Sequence, residues 1–273
     1  MTSPIRVTVL GPTGRLGSAI CHALLDSPDF SLVGAVVRAE SPACGVDIGT
    51  WLERDPIGCL GETALEHAVH GADIVLDSSL PGMTVAAAER LASLGGPGLV
   101  TGVTGFNRDQ EARLASASGK IPLLAAGNFS LGVAVTEALV RQAARLPATE
   151  WDIEVHETHH KRKADAPSGT AIMLARAAAE ARGERLEDVA TWSRECTTGP
   201  RQTGSIGFAV SRGGSVVGEH AVRYLAELEE ITISHRALDR SIFARGALEA
   251  ARWMINEGEG RPTGRYTMQD VVG

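Results

Sequence analysis

The sequence predicts an α/β protein: a doubly wound parallel sheet, joined to an α+β domain with a mixed, largely antiparallel sheet. Three observations predict it. Short apolar runs alternate with helical spacings from residue 5 to residue 130. A glycine-rich turn joins the first run to the first helix. After Pro147 the apolar spacing changes to period two, the mark of strands buried on one face.

Ile5-Arg6-Val7-Thr8-Val9-Leu10 is rich in β-branched residues and reads as a buried strand. Gly11-Pro12-Thr13-Gly14-Arg15-Leu16-Gly17 follows at once, and Ser18–Leu25 has helical spacing. Strand, glycine turn and helix form the context in which such a turn binds a dinucleotide, here with GxxGxxG rather than GxGxxG spacing. Gly11 permits the tight turn, Gly14 lets the backbone approach a pyrophosphate, and Gly17 allows close packing of helix on strand. The first domain is therefore expected to be of Rossmann type.

A second strand, Ser31–Val37, runs into Arg38, with Glu40 two residues on. An acid at this point binds a ribose 2′-hydroxyl, whereas an arginine accommodates a 2′-phosphate, so Arg38 tilts the cofactor toward NADPH. Residues 39–60 are punctuated by Gly and Pro and read as an irregular excursion, with Trp51 covering apolar surface. Strands over 72–77, 98–101 and 121–126 then alternate with helices Thr84–Leu94 and Arg108–Ser118. The turns after those strands are Ser78-Ser79, Gly102-Val103-Thr104 and Ala126-Gly127-Asn128-Phe129. With the first glycine turn they fall at the carboxyl edge of the sheet, where such folds bind ligands.

Leu131–Leu146 reads as a helix and Asp152–Glu157 as a period-two strand. Next comes a loop dense in proton donors, Glu157-Thr158-His159-His160-Lys161-Arg162-Lys163-Ala164-Asp165-Ala166-Pro167-Ser168-Gly169-Thr170. Ser168 caps a helix expected over Gly169–Arg182. A solvated basic loop would explain the cations alone. A helix N-terminus, however, presents free N–H groups and positive dipole. With the histidine pair beside it, the stretch becomes a place for a carboxylate or phosphate next to a proton donor. Ser205–Ser211, Ser215–Ala221 and Tyr224–Ser234 read as further strands, with Gly213-Gly214 as a hairpin turn between the first two. A homo-oligomer built on this sheet is expected. Helix Ser241–Asn256 is expected to return to the first domain, with Tyr266–Val272 as a C-terminal tail. The domains expected are thus 1–130 with 241–273, for the dinucleotide, and 131–240, for substrate and oligomerisation.

The 273 residues carry a net charge of −7, which argues against general nucleic-acid binding and makes a local basic loop stand out. Four cysteines form no CxxC pair and match no zinc spacing, so no metal site is expected. Met1-Thr2-Ser3-Pro4 lacks the pattern of a secretory leader, and no apolar run reaches the length of a membrane span. A cytoplasmic protein is the expectation.

These motifs together resemble the dihydrodipicolinate reductases (4-hydroxy-tetrahydrodipicolinate reductases) of lysine biosynthesis over nearly the whole chain. The resemblance rests on the first glycine turn, Gly102-Val103-Thr104-Gly105-Phe106, Asn128-Phe129-Ser130-Leu131-Gly132-Val133 and the His159 loop, with Gly218-Glu219-His220 and Phe243-Ala244-Arg245-Gly246-Ala247 behind them. It implies reduction of 4-hydroxy-tetrahydrodipicolinate to tetrahydrodipicolinate by NADPH or NADH, a hinged substrate domain and a homotetramer. It implies His159 as the acid/base residue and Lys163 as a second proton donor. His160, Ser168, Gly169 and Thr170 would bind substrate carboxylate. Gly11, Pro12, Thr13, Gly14, Arg15, Leu16, Gly102, Val103, Thr104, Ala126, Gly127, Asn128 and Phe129 would line the cofactor, while Lys161 and Arg162 belong to a solvated face. Three positions depart from the family pattern: Arg38 replaces a frequent acid, Asp77-Ser78-Ser79-Leu80-Pro81 replaces Asp-Phe-Thr-x-Pro, and Val103 replaces a threonine. The competing readings are an amino-acid dehydrogenase acting on a semialdehyde, which does not need the His159 cluster, and a nucleotide-sensing regulator, which does not need a proton donor.

Overall fold

A computed structural model describes residues 3–255 and 260–273. The chain forms two compact units, Met1–Ser130 with Ser241–Gly273, and Leu131–Arg240. Met1, Thr2 and Asn256 lie outside the described residues.

In the first unit the chain runs β1 (Ile5–Leu10), α1 (Arg15–Leu25), β2 (Phe30–Val36), α2 (Ile48–Trp51), β3 (Gly61–Glu62), α3 (Leu65–Ala68), β4 (Ile74–Asp77), α4 (Pro81–Leu94), β5 (Gly98–Thr101), α5 (Arg108–Ser118) and β6 (Pro122–Ala125). Val7 to Leu10, and all of β4 and β5, are buried without alternation, as strands covered on both faces must be. Helix α1 begins three residues earlier than its apolar spacing indicates, because Gly14 is extended and acts as its N-cap. Gly11 sits at φ +75°, and a Cβ on Gly17 would overlap the Gly11 carbonyl oxygen. Helix α4 also starts early, at Pro81, since proline at the first turn lacks only an N–H that has no helical partner anyway. The 39–60 excursion holds one helical turn, α2, whose N-cap Asp47 also accepts from the N–H groups of Ile57 and Gly58. The single turn α3 went unforeseen, as four residues are too few to show a period.

In the second unit come α6 (Leu131–Ala143), β7 (Asp152–His159), α7 (Gly169–Ala181), α8 (Leu186–Val189), β8 (Ala190–Thr191), β9 (Ile206–Arg212), β10 (Gly218–Leu225) and β11 (Glu230–Ala237). Helix α6 stops short of Leu146, where its end tightens into a Leu146 N–H bond to Ala143 ahead of Pro147. Strand β7 continues past Glu157 to His159, so the histidine ends a strand rather than lying in a loop. Along β7 the buried positions are Ile153, Val155, Glu157 and His159, all on one face.

The sheet order is β11-β10-β7-β9-β8. Strand β10 is antiparallel to β7 and β11, whereas β9 is parallel to β7 and β8. The hairpin expected at Gly213-Gly214 is therefore not formed. β7 lies between β9 and β10, and the glycine turn carries the chain over the end of β7, where the Gly213 N–H bonds the His159 carbonyl at 2.9 Å. The sheet is mixed and largely antiparallel, as expected: the antiparallel pairings of β10 with β7 and β11 are long, and of the parallel ones that of β8 with β9 spans two residues.

An alanine-rich face of α7 (Ala171, Ala175, Ala178, Ala179) shares a core with Ile153, Val155, Ile206, Val222 and Tyr224. Small side chains let the helix sit close to the sheet. Tyr224 is fully buried, and its hydroxyl donates to the Val140 carbonyl at 2.7 Å.

The chain then returns to the first unit through α9 (Ser241–Ile255), β12 (Gly264–Tyr266) and α10 (Met268–Val272). The expected C-terminal tail is thus an edge strand and a short helix. β12 pairs with β6, and the parallel sheet reads β12-β6-β5-β4-β1-β2-β3. Among the described residues no helix is long and apolar enough to cross a membrane.

Tyr224→Phe keeps the ring and removes one buried hydrogen bond. The Val140 carbonyl retains its helical bond from Ala144 at 2.9 Å. The expected loss is therefore about 1 kcal/mol, read as a lower denaturant midpoint with unchanged slope. An unshifted midpoint would show that this bond adds nothing to the core.

Candidate active site

Strands β1, β4, β5 and β6 are neighbours in one parallel sheet, so the turns that follow them share one edge. Those turns contain Gly11 to Leu16, Ser78-Ser79, Gly102 to Thr104 and Ala126 to Phe129, the four stretches singled out from the sequence. They are tied together by backbone bonds: Ser78 N–H to Leu10, Gly102 N–H to Asp77 and Ala126 N–H to Thr101, each 2.9–3.0 Å. Beneath them the buried Asp77 accepts from Thr84 and Thr101 hydroxyls at 2.6 and 2.8 Å and from Ser79 N–H at 2.9 Å. Gly102 has no room for a side chain, because a Cβ would meet the Phe129 ring and Leu16. Pro12 is buried, whereas Thr13, Gly14 and Arg15 are exposed. Among the described residues no side chain caps α1, which leaves its N-terminal turn to an external acceptor. Arg38 is exposed just beyond β2. This edge can take an anionic dinucleotide.

The second unit holds the proton donors. Period two puts Glu157 and His159 side by side on the buried face of β7, and His159 Nδ1 lies 2.6 Å from Glu157 Oε2. Arg212, at the end of β9 and in register with His159, grips both Glu157 oxygens at 2.7 and 2.8 Å. The Ser168 N–H donates to Glu157 at 2.9 Å. Burial pushes the Glu157 carboxyl up, but Arg212, His159 and the Ser168 N–H outweigh it and hold the group below its ordinary range. On the other side of His159 stands Gly218, whose Cβ, if it had one, would be 3.0 Å from Nε2.

His220 from β10 meets the His159 ring edge-on at 5.1 Å and bonds Ser168 Oγ through Nε2 at 2.9 Å. Burial, then the proximity of His159, pushes His220 down to about 4, so it is neutral at physiological pH. Arg240 Nη2 lies 3.0 Å from His160 Nε2. A guanidinium only donates, so His160 Nε2 accepts and its ring proton resides on Nδ1, a buried atom with no hydrogen-bond partner among the described residues. Desolvation and then the charges of Arg240, Arg162 and Lys163 push His160 down as well. Lys163 pairs with Asp165 at 2.8 Å. Ser168 is buried, and its Oγ caps α7 by accepting the Ala171 N–H at 3.1 Å. Gly169 is exposed at the first turn of that helix, and Lys161 and Arg162 are exposed on the preceding segment.

The structure thus gathers His159, His160, Lys163, Ser168, Gly169 and Thr170 within one unit. Sequence reasoning gave no role to Glu157, Arg212, His220 or Arg240. Glu157 was legible, because a period-two strand puts a residue two before His159 on the same face. Arg212 and His220 come from β9 and β10, which were expected to pair with each other and instead flank β7. Among the described residues no cluster of His, Cys, Asp or Glu could hold a metal ion.

Comparison with known proteins matches the family model "Dihydrodipicolinate reductase, N-terminus" over residues 5–129 and "Dihydrodipicolinate reductase, C-terminus" over residues 132–272. The chain is 47% identical to the 4-hydroxy-tetrahydrodipicolinate reductase of Caulobacter vibrioides, over 100% of this chain and 99% of that one. It is 44% identical to the reductase of the same name from Parvibaculum lavamentivorans, with 100% and 99% covered. In fold it is similar to a dipicolinate-bound dihydrodipicolinate reductase from Paenisporosarcina sp. TG-14, with TM-score 0.76, 20% identity and 97% of each chain covered.

The neutral, buried His220 makes stability depend on pH. The unfolded chain takes up this proton below about 6.5 and the folded chain only near 4. Its contribution is therefore complete above about pH 6.5 and is lost as pH falls toward 4, on the order of 3 kcal/mol in all. His160 and His235 are also pushed down and act in the same direction. His220→Gln should accordingly flatten, without abolishing, the fall in melting temperature between pH 6.5 and 4. A slope identical to that of the unaltered protein would refute the assignment.

Proposed function

The chain belongs to the dihydrodipicolinate reductase family, and from that premise we infer how its residues divide the work. Its reaction is the reduction of 4-hydroxy-tetrahydrodipicolinate to tetrahydrodipicolinate, in diaminopimelate and lysine biosynthesis, with NADH or NADPH. The observation that carries the assignment of roles is His159. Its ring is anchored through Nδ1, Gly218 withholds a side chain from its Nε2, and the N-terminus of α7 begins beside the same carboxylate that anchors it.

The first unit is the dinucleotide-binding domain, residues 1–130 with 241–273. Its glycine turn fits that role: Gly17 has no space for a Cβ, and the N-terminus of α1 has no side-chain cap. N–H groups of the Gly11 to Leu16 turn and of α1 hold the pyrophosphate. Gly102, Val103, Thr104 and Ala126 to Phe129 line the remainder, and Arg38 takes a 2′-phosphate when the cofactor is NADPH. When bound, the cofactor supplies the hydride.

The second unit, residues 131–240, binds the substrate. A small cyclic dicarboxylate needs N–H groups and cations for its two anionic ends. The first turn of α7, at Gly169 and Thr170, receives one carboxylate, helped by the His160 Nδ1 proton. Ser168 contributes by shaping that turn, since its N–H and Oγ are engaged within the protein. Lys163 supplies positive charge and a second proton. His159 holds a proton on Nε2 and delivers it to the ring position that becomes electron-rich on reduction, and the 4-hydroxyl of the substrate leaves as water in the overall reaction. We further place the protein in the cytoplasm and assign its mixed sheet to a homo-oligomer, a tetramer.

Purified protein should oxidise NADPH or NADH when the cyclic substrate is generated in place by a coupled synthase, followed by nicotinamide absorbance. No oxidation with either cofactor would overturn the assignment. His159→Gln should lower kcat by roughly 10²–10⁴-fold with cofactor affinity retained. Normal turnover in that variant would remove His159 from the mechanism. Arg38→Ala should raise KM for NADPH by roughly 10-fold or more, the worth of one charged hydrogen bond, and leave KM for NADH nearly unchanged. Equal changes for both cofactors would show that Arg38 does not touch the 2′-phosphate.

A further inference from the structure

Glu157 is a charged group at this site that neither binds nor protonates substrate in the scheme above. Its side chain is fully covered. An ionised carboxylate in that position is tolerable only if every lone pair is met. It is met four times: by His159 Nδ1, by both terminal nitrogens of Arg212 and by the Ser168 N–H, at 2.6–2.9 Å. Arg212 is itself fixed, because its guanidinium also donates to the Ser211 and Asp165 carbonyls at 2.7 Å.

The chemistry of this arrangement is directional. An ionised carboxylate only accepts, so the shared proton belongs to His159 Nδ1. The ring is then locked, with Nε2 as its one exchangeable position. An unanchored imidazole would populate both tautomers and turn about χ2. The carboxylate also attracts the proton that His159 carries, and Arg212, by sharing that carboxylate, weakens the attraction. The two residues therefore act on the same proton with opposite sign. The other ionisable groups nearby are His160, which desolvation and then Arg240 push down, His220 on β10, which is neutral at physiological pH, and Lys163, which pairs with Asp165.

We propose that Glu157 and Arg212 are a positioning pair for His159: Glu157 locks the ring with its proton on Nδ1, and Arg212 tempers Glu157 so that the proton on Nε2 can be released to substrate. The proposal rests on the reading of His159 as the acid and adds to it two residues that need not touch substrate or cofactor. A third group orienting the base is a general device of acid–base and nucleophilic sites.

The test uses the full-length protein with Glu157→Gln, Glu157→Asp and Arg212→Met, each checked for retained cofactor affinity and melting temperature. Nitrogen NMR of the His159 ring without ligands, at a pH where it is neutral, reads the tautomer directly. The unaltered protein should show Nδ1–H alone, and Glu157→Gln a mixture or the Nε2–H form. In turnover, Glu157→Gln should lose roughly 10²–10⁴-fold in kcat with little change in KM, and Glu157→Asp should recover part of it. The basic limb of the pH–rate profile should move to lower pH in Glu157→Gln and to higher pH in Arg212→Met. A structural role alone would move stability in both variants without opposite pH shifts. An unchanged tautomer, or shifts of the same sign, would overturn the proposal. If Arg212→Met does not fold, the Glu157 variants and the tautomer decide. If His159→Gln is itself fully active, the reading of His159 as the acid has failed, and the ligand-free tautomer still shows whether Glu157 holds the ring.

Discussion

A carboxylate buried at the end of a central strand governs the second unit. Strand β7 lies in the middle of its sheet, and period two commits its inward face to Ile153, Val155, Glu157 and His159. The first two positions build the core. The third would be ruinous in the same environment if left unpaired, since isolated charges in apolar surroundings cost many kcal/mol. The local architecture answers that single demand. β9 runs parallel to β7, which brings Arg212 into register beside His159. The N-terminus of α7 turns its Ser168 N–H onto the same carboxylate. The glycine turn at Gly213-Gly214 then lets the chain pass over the strand end. The mixed pairing of this sheet is thus tied to the site it supports.

The first unit was legible because its signals are local. A strand, a glycine turn and a helix are contiguous, and a Cβ at Gly17 is excluded by a residue only six positions away. Alternation of strand and helix then dictates a parallel sheet, and parallel strands put their following turns on one edge. The second unit was only partly legible, for a related reason. Alternation located β7, β9 and β10 to within a few residues, whereas the strand expected over Tyr224–Ser234 takes in the end of β10, the turn after it and only the first part of β11; nothing in a strand's own sequence says which neighbour it takes. Gly213-Gly214 is a good hairpin signal, and it misled because β7 occupies the place between the strands it joins. His159, His160 and Lys163 could be picked out as a dense run. Arg212 is 53 residues from His159 in sequence and is joined to it only by strand order.

The histidines around the site show how one residue type is given different duties. His220 is buried, packed against another imidazole and bonded to Ser168, and those surroundings keep it neutral. His160 faces cations, chiefly Arg240, and its ring proton is held on Nδ1 as a donor. Among these three, His159 alone has a carboxylate on its ring. An imidazole anchored on a carboxylate beside two neutral rings keeps the proton at one address. Were all three free to ionise, their mutual repulsion would share the proton among them, and release to substrate would compete with exchange between rings. In the proposed scheme the same arrangement lets so basic a segment serve an anion. Lys161 and Arg162 stay in solvent, Lys163 is held by Asp165, and the helix N-terminus supplies positive potential that cannot be titrated away. In the proposed scheme the N–H groups of that turn thus add to Lys163 and His160 a share of anion binding that is constant with pH, while Glu157 and Arg212 hold the imidazole that donates the proton.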